Sequence, residues 1–206
     1  MTKVPTTGKK RDGGRPRRAK DDWPEHLLDR QNKLRHRLAE ASSPAMLVTH
    51  APDVRYLTDL DIEDTWLIVT DREVHLVTDR RFEQQVERSR PQAKLVVRDG
   101  PMADALASLC KDVKLKALSF QADHLTVSQH EALGGKLEGV TLTPTKRWLV
   151  EQRAVKDARE LRMIRRALAL QEQAFHQLLD QIRPGMSESE VATLLEYNMR
   201  WIGAEG

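Results

Sequence analysis

Apolar positions recur along this chain in two rhythms, and the change from one to the other divides it. Over residues 158–183, Leu161, Ile164, Leu168, Gln171, Phe175, Leu178 and Ile182 follow one another at three- and four-residue steps. A helix lines them up on one face with a single polar interruption. Asp157 with Glu160 is a capping-box start for this helix, and Pro184-Gly185 stops it. Ser187 with Glu190 opens a second helix, with Met186 and Val191 placed as an apolar staple. Val191, Leu194, Leu195, Met199 and Ile202 turn inward on it, and Gly203 is the expected left-handed terminator. Such a hairpin still offers apolar surface to something else, usually a sheet, and no sheet-forming run follows it. The two helices therefore dock on the preceding domain or belong to a domain whose remainder lies outside these residues.

Upstream, short β-rich runs alternate with helices. Pro24 suits the first turn of a helix whose apolar face carries Trp23, Leu27, Leu34 and Leu38 to about Glu40, and Ser42-Ser43-Pro44 ends it. Residues 45–49, 54–57 and 65–70 read as strands. The last of these pairs with 74–78 as a hairpin across Asp71-Arg72. A helix over 81–90, a strand over 95–97, a helix over 102–111 and a strand over 117–120 come next. Thr126 with Gln129 opens a further helix that Gly134-Gly135 weakens or ends, and 140–142 is the last strand. Early antiparallel pairing followed by βα alternation predicts an α/β fold, one mixed sheet flanked by helices.

Charge changes the picture at the amino end only. The chain has 206 residues and a net charge of +3, but residues 1–22 hold eight Lys or Arg against three Asp, so the rest is slightly acidic. With almost no apolar content, 1–22 reads as a disordered basic tail. Its Gly14-Arg15-Pro16-Arg17-Arg18 faintly resembles a minor-groove hook. As a single copy it is read as a basic extension, and nucleic acid is set aside as the main partner. No stretch reaches the roughly 18 apolar residues of a membrane helix. The start has no secretory apolar core, and the one cysteine, Cys110, forms no internal disulfide and reads as a small buried residue. A reducing, cytoplasmic setting is expected.

Chemistry-bearing motifs are sparse. No glycine-rich nucleotide loop is present, and the seven histidines (His26, His36, His50, His75, His124, His130, His176) show no helical zinc spacing. Asp59, Asp61, Glu63 and Asp64 form the densest acidic cluster. A calcium loop would need Gly where Asp64 stands and Glu where Thr70 stands, so the cluster reads as a solvated loop entering a strand.

A more specific signal lies in ordered short motifs. Arg153-x-x-Lys156-Asp157-x-x-Glu160-Leu161-x-x-Ile164-x-x-Ala167 is followed by Arg183-Pro184-Gly185-Met186-Ser187-Glu188-x-Glu190-Val191-Ala192. Together they resemble the start of the pita-bread catalytic domain of the proline-specific metallopeptidases: aminopeptidase P, prolidase and the related creatinase. Met46-Leu47-Val48-Thr49, Val54-Arg55-Tyr56-Leu57-Thr58, Leu76-Val77-Thr78-Asp79-Arg80-Arg81-Phe82 and Leu118-Ser119-Phe120 resemble that family's amino-terminal domain in the same order. The pattern departs at Asp59, where the family usually has Gly, and at Phe82, where it usually has Tyr.

Beyond the tail at 1–22, the resemblance implies a creatinase-like amino-terminal α/β domain at 23–150 and the truncated start of a pita-bread α+β domain at 151–206. It implies that a complete parent enzyme uses two divalent metal ions (Mn, Co or Zn) to cleave Xaa-Pro bonds in proline-containing peptides. Their ligands, two Asp, one His and two Glu, have no match in these residues, so no catalytic or metal residue is assigned and the chain alone is expected to be inactive. It further implies a homodimer in which Asp59, Asp61, Glu63 and Asp64 belong to a loop lent to a neighbouring active-site mouth. The alternatives are a non-catalytic creatinase-like dimerisation or interaction protein and, third, a nucleic-acid binder acting through the tail.

Overall fold

A computed structural model describes residues 25–89 and 92–204. The basic tail, Trp23 and Pro24 lie outside the described residues, as does the expected end of a helix at Arg90. Helix α1 (Glu25–Glu40) buries Leu27, Leu34 and Leu38, as the apolar spacing requires, together with Arg30 and Gln31. Strand β1 (Ala45–Val48) follows, then helix α2 (Ala51–Thr58), strands β2 (Trp66–Thr70) and β3 (Val74–Asp79), and a 3-10 turn (Arg80–Phe82) that runs into helix α3 (Glu83–Ser89). Strand β4 (Lys94–Arg98), helix α4 (Met102–Asp112), strand β5 (Ala117–Gln121), helix α5 (Val127–Gly134) and strand β6 (Thr141–Thr145) complete the sheet layer. Helices α6 (Trp148–Ala154), α7 (Ala158–Gln181) and α8 (Glu188–Trp201) end the chain.

Residues 54–57, expected as a strand, form the body of α2. His50 sits extended at the N-cap, Pro52 fits the first turn where no N–H is needed, and Asp53 places its charge near the amino-terminal dipole. Val54 and Leu57 then share a face with Asp53 and Tyr56, a helical grouping that four residues alone do not distinguish from a strand. Helix α6 has no counterpart among the expected elements. It spans residues 150 and 151, and its Leu149 is buried in the core of the sheet domain.

The sheet is mixed, in the order β4-β3-β2-β1-β5-β6. β1, β2 and β3 pair antiparallel, with Leu47 opposite Ile68 and Leu67 opposite Leu76. β4, β5 and β6 add in parallel. Pro144 lies in β6 at the edge, where a missing donor is tolerated. Because strand side chains alternate, the sheet builds two cores. Met46, Val48, Leu67, Val69 and Leu76 pack with Leu34, Leu57 and Leu149 from α1, α2 and α6. Ala45, Leu47, Ile68, Val77 and Leu118 pack with Leu106 of α4 and Leu133 of α5 on the other side.

The capping boxes all form: Thr126 with Gln129, Asp157 with Glu160 and Ser187 with Glu190. Gly185 and Gly203 both take φ of +94°, the left-handed turn that only glycine adopts freely. Helices α7 and α8 pack against each other, yet α7 buries only Ala174 and Leu178, and α8 only Asn198. Val191, Leu194, Leu195, Met199 and Ile202 are partly covered.

Candidate functional site

Leu47 of β1 stands opposite Phe120 of β5, so the two parallel strands release the chain at the same end of the sheet. β1 leads to Thr49 and His50, while β5 ends at Gln121 with His124 just beyond. Buried Gln121 ties the two exits together. Its Oε1 accepts the backbone N–H groups of Thr49 at 2.8 Å and His50 at 3.1 Å, and its Nε2 donates to Asp53 Oδ2 at 2.7 Å.

Asp53 is 0 % exposed, and an unpaired carboxylate there would be strongly disfavoured. Three side chains meet it. Gln121 donates to Oδ2, Arg153 Nη1 of α6 donates to Oδ1 at 2.8 Å, and His50 Nδ1 lies 3.0 Å from Oδ2. The His50 ring stacks on that of His124, with centroids 3.7 Å apart and planes 6° from parallel. His124 Nε2 is buried and has no hydrogen-bond partner among the described residues. A cavity of about 10 Å³ opens beside it, bounded in part by Gln121, Asp123, Arg147 and Trp148.

A second polar cluster closes the far end of α2 against α7. Asp59, the C-cap of α2, takes φ of 56°. Its carboxylate lies 2.9 Å from His26 Nε2 and 3.2 Å from Arg159 Nη2, so this departure from glycine supplies an ion-pair hub at a left-handed turn. Nearby, buried Arg30 donates from Nη2 to Asp157 Oδ2 at 2.7 Å and from Nη1 to the carbonyl of Tyr56 at 2.9 Å, and its guanidinium lies over the Tyr56 ring. Burial works against the charge on Asp157. The N–H of Glu160 and the Arg30 guanidinium outweigh it and hold the Asp157 pKa below its ordinary value. For Tyr56, burial raises the phenol pKa.

The four acidic residues singled out from sequence make no common site. Asp59 is taken by His26 and Arg159, exposed Asp61 pairs with Arg55 at 2.9 Å, and Asp64, at φ of 48°, pairs with Arg81 at 3.3 Å. Glu63 is exposed. His50 and Asp53 meet locally, three residues apart at the start of α2, and His124 joins them only because β1 and β5 are neighbours. No spacing in the chain signals that, although Asp53 inside an apolar helix face is a local hint. Cys110 is buried as expected, and burial pushes its thiol up to about 11, away from the reactive thiolate.

The two-metal set implied by the resemblance does not fit these residues. Among the described residues, the only group of three or more potential ligands is His50, Asp53 and His124, not two Asp, one His and two Glu. Bridging two ions requires carboxylates free to span them, and Asp53 already has three partners. No catalytic step is therefore assigned to them.

Comparison with known proteins bears on the same arrangement. The Creatinase/Prolidase N-terminal domain family matches residues 30–155. The uncharacterized peptidase YqhT of Bacillus subtilis (strain 168) is 24 % identical over 173 residues, which are 84 % of this chain and 49 % of that protein. The structure of an Xaa-Pro dipeptidase from Bacillus anthracis superposes with a TM-score of 0.79 at 27 % identity, covering 87 % of this chain and 50 % of that one. An X-Pro aminopeptidase from Thermotoga maritima MSB8 gives 0.73 at 26 % identity, covering 79 % and 47 %. The chain thus spans about half the length of the curated relative it matches.

Proposed function

We propose, from the premise that the chain belongs to the Creatinase/Prolidase N-terminal domain family, that it is the amino-terminal portion of a metal-dependent Xaa-Pro peptidase. In this reading residues 23–150 are the amino-terminal domain and 151–206 begin the catalytic unit, with the metal ligands in a half outside these residues. The observation that carries it is the uncovered face of α7. Leu161, Ile164, Leu168 and Phe175 remain 41–52 % exposed along one side of a 24-residue helix, and Ile182 at its C-cap is 38 % exposed. A stripe of that length is the seat of another layer rather than a water-facing surface.

Within a complete enzyme, the mixed sheet and its two cores serve as a rigid platform. Arg153 and Asp157, both in the Arg153-x-x-Lys156-Asp157 motif, fasten the start of the catalytic unit to it through Asp53 and Arg30. The substrates are proline-containing peptides, and the working form is a homodimer in which the 59–64 loop borders a neighbouring active-site mouth. Two divalent ions in the other half supply the activated water. Purified alone, the chain is expected to show no metal-stimulated cleavage of an Xaa-Pro dipeptide, and cleavage is expected when it is joined to a metal-bearing second half. Turnover by the chain alone, with contaminating peptidases excluded, overturns the reading.

A second reading, a non-catalytic interaction protein, draws support from the sheet domain being covered on both faces. A monodisperse chain whose α7 stripe is covered by a second copy favours it.

A further inference from the structure

We propose that His50, Asp53 and His124 form a mononuclear site for a borderline transition-metal ion of the zinc or nickel type, at the point where the chain leaves β1 and β5. One potential ligand atom from each of the three lies within 4.8 Å of the others. Two imidazoles with one carboxylate is a donor set suited to such ions and poorly suited to magnesium or calcium, which take oxygen ligands.

Three further observations point to an occupant. His124 Nε2 is buried without a partner among the described residues, a condition that is unfavourable for a polar atom unless something meets it. A cavity of about 10 Å³, room for one small guest, borders the group at its His124 and Gln121 end, without reaching His50 or Asp53. The location is also where ligands gather in open α/β sheets: β1 leads into α2 on one face of the sheet and β5 leads toward α5 on the other, leaving a crevice between the two exits.

Asp53 fits the role expected of a metal-site carboxylate. Arg153 and Gln121 fix its orientation, and it in turn orients His50 through Nδ1. A carboxylate has about four acceptor positions, so these three contacts leave capacity for one more. Without metal, the two rings lie parallel and their lone pairs run side by side instead of converging. Loading therefore turns one ring out of the stack. His50, whose side chain is 29 % exposed at the N-cap of α2, is the ring with room to move, its Nδ1 exchanging the contact with Asp53 for the ion. The bound ion would clamp the loops after β1 and β5 together.

Calorimetric titration of zinc chloride into the chelator-stripped full chain tests the site. One ion per chain is expected, with cobalt(II) giving visible absorption bands from imidazole ligation. His124→Gln and His50→Gln are each expected to weaken zinc binding by at least about 10-fold and to abolish the cobalt bands. His176→Gln, at an exposed position on α7, should change neither. Far-ultraviolet circular dichroism establishes that each variant is folded. No zinc uptake by the wild-type chain, or uptake unchanged in both folded variants, overturns the proposal and leaves the cavity to a water molecule.

Discussion

Arg153 Nη1 donates to Asp53 Oδ1 at 2.8 Å across 100 residues of chain, joining α6 to a carboxylate with no solvent exposure. Losing the guanidinium leaves Asp53 to Gln121 and His50 alone. Arg153→Ala is expected to destabilise the chain by about 2–3 kcal/mol, below the figure for a fully buried pair because Arg153 reaches solvent. Asp53→Ala, which strands three partners at once, is expected to cost more, about 3–5 kcal/mol. Urea denaturation at neutral pH measures both, and equal, small losses would mean the pair is not an anchor.

Arg30 and Asp157 make the second tie, 127 residues apart in sequence. The Asp157 pKa is held below its ordinary 3.8, so the charged form is the one that stabilises the fold. Its contribution is fully present above the unfolded value and is lost as pH falls through the folded value. Asp157→Asn should therefore lower the urea midpoint at neutral pH, and the gap to wild type should close on acidification through that range. A gap independent of pH would remove the electrostatic explanation.

Much of this was legible in the chain because it is local. Asp157 with Glu160, Ser187 with Glu190 and Thr126 with Gln129 each announce a helix within four residues, and all three form. The mixed sheet follows from the order of its strands. Residues 54–57 misled because Val54, Tyr56 and Leu57 suit a strand locally, whereas Pro52, Asp53 and the sheet surface beneath select a helix. The short α6 gives too brief a pattern to stand out, and its place is set by Leu149 in the core. His124 joins the local His50–Asp53 pair because β1 lies beside β5, which no motif encodes. The uncovered stripe of α7 was foreshadowed by its three- and four-residue spacing with no strand behind it.

At Asp59 the backbone and the side chain oppose each other. A left-handed φ of 56° costs a non-glycine residue about 1–2 kcal/mol, while the carboxylate gains His26 and Arg159. Asp59→Gly is expected to change stability by less than about 1 kcal/mol, because relief of the turn offsets the lost ion pairs. Asp59→Ala, which keeps the strained turn and loses the pairs, should be destabilising by about 1–2 kcal/mol. Thermal melts of the two variants separate the effects, and equal losses would show that the turn carries no strain.

Asp61 and Glu63 are exposed, and Asp61 holds only a surface pair with Arg55. Replacing both by Ala should alter the stability of this chain by no more than about 0.5 kcal/mol. In a complete peptidase the same double variant is expected to shift the preference for peptide length or weaken dimerisation. Unchanged kinetics together with unchanged assembly would remove the loop from the active-site mouth.

The seat proposed for another layer can be read directly by hydroxyl-radical footprinting of Leu161, Leu168 and Phe175, which are 41 %, 52 % and 48 % exposed here. Their modification rates are to be compared in this chain alone and in the same residues joined to a metal-bearing second half. The account predicts ready modification in the isolated chain and strong protection, concentrated on this side of α7, in the joined polypeptide. Equal modification in the two would contradict it, because the α7 stripe would then not be where the catalytic half rests.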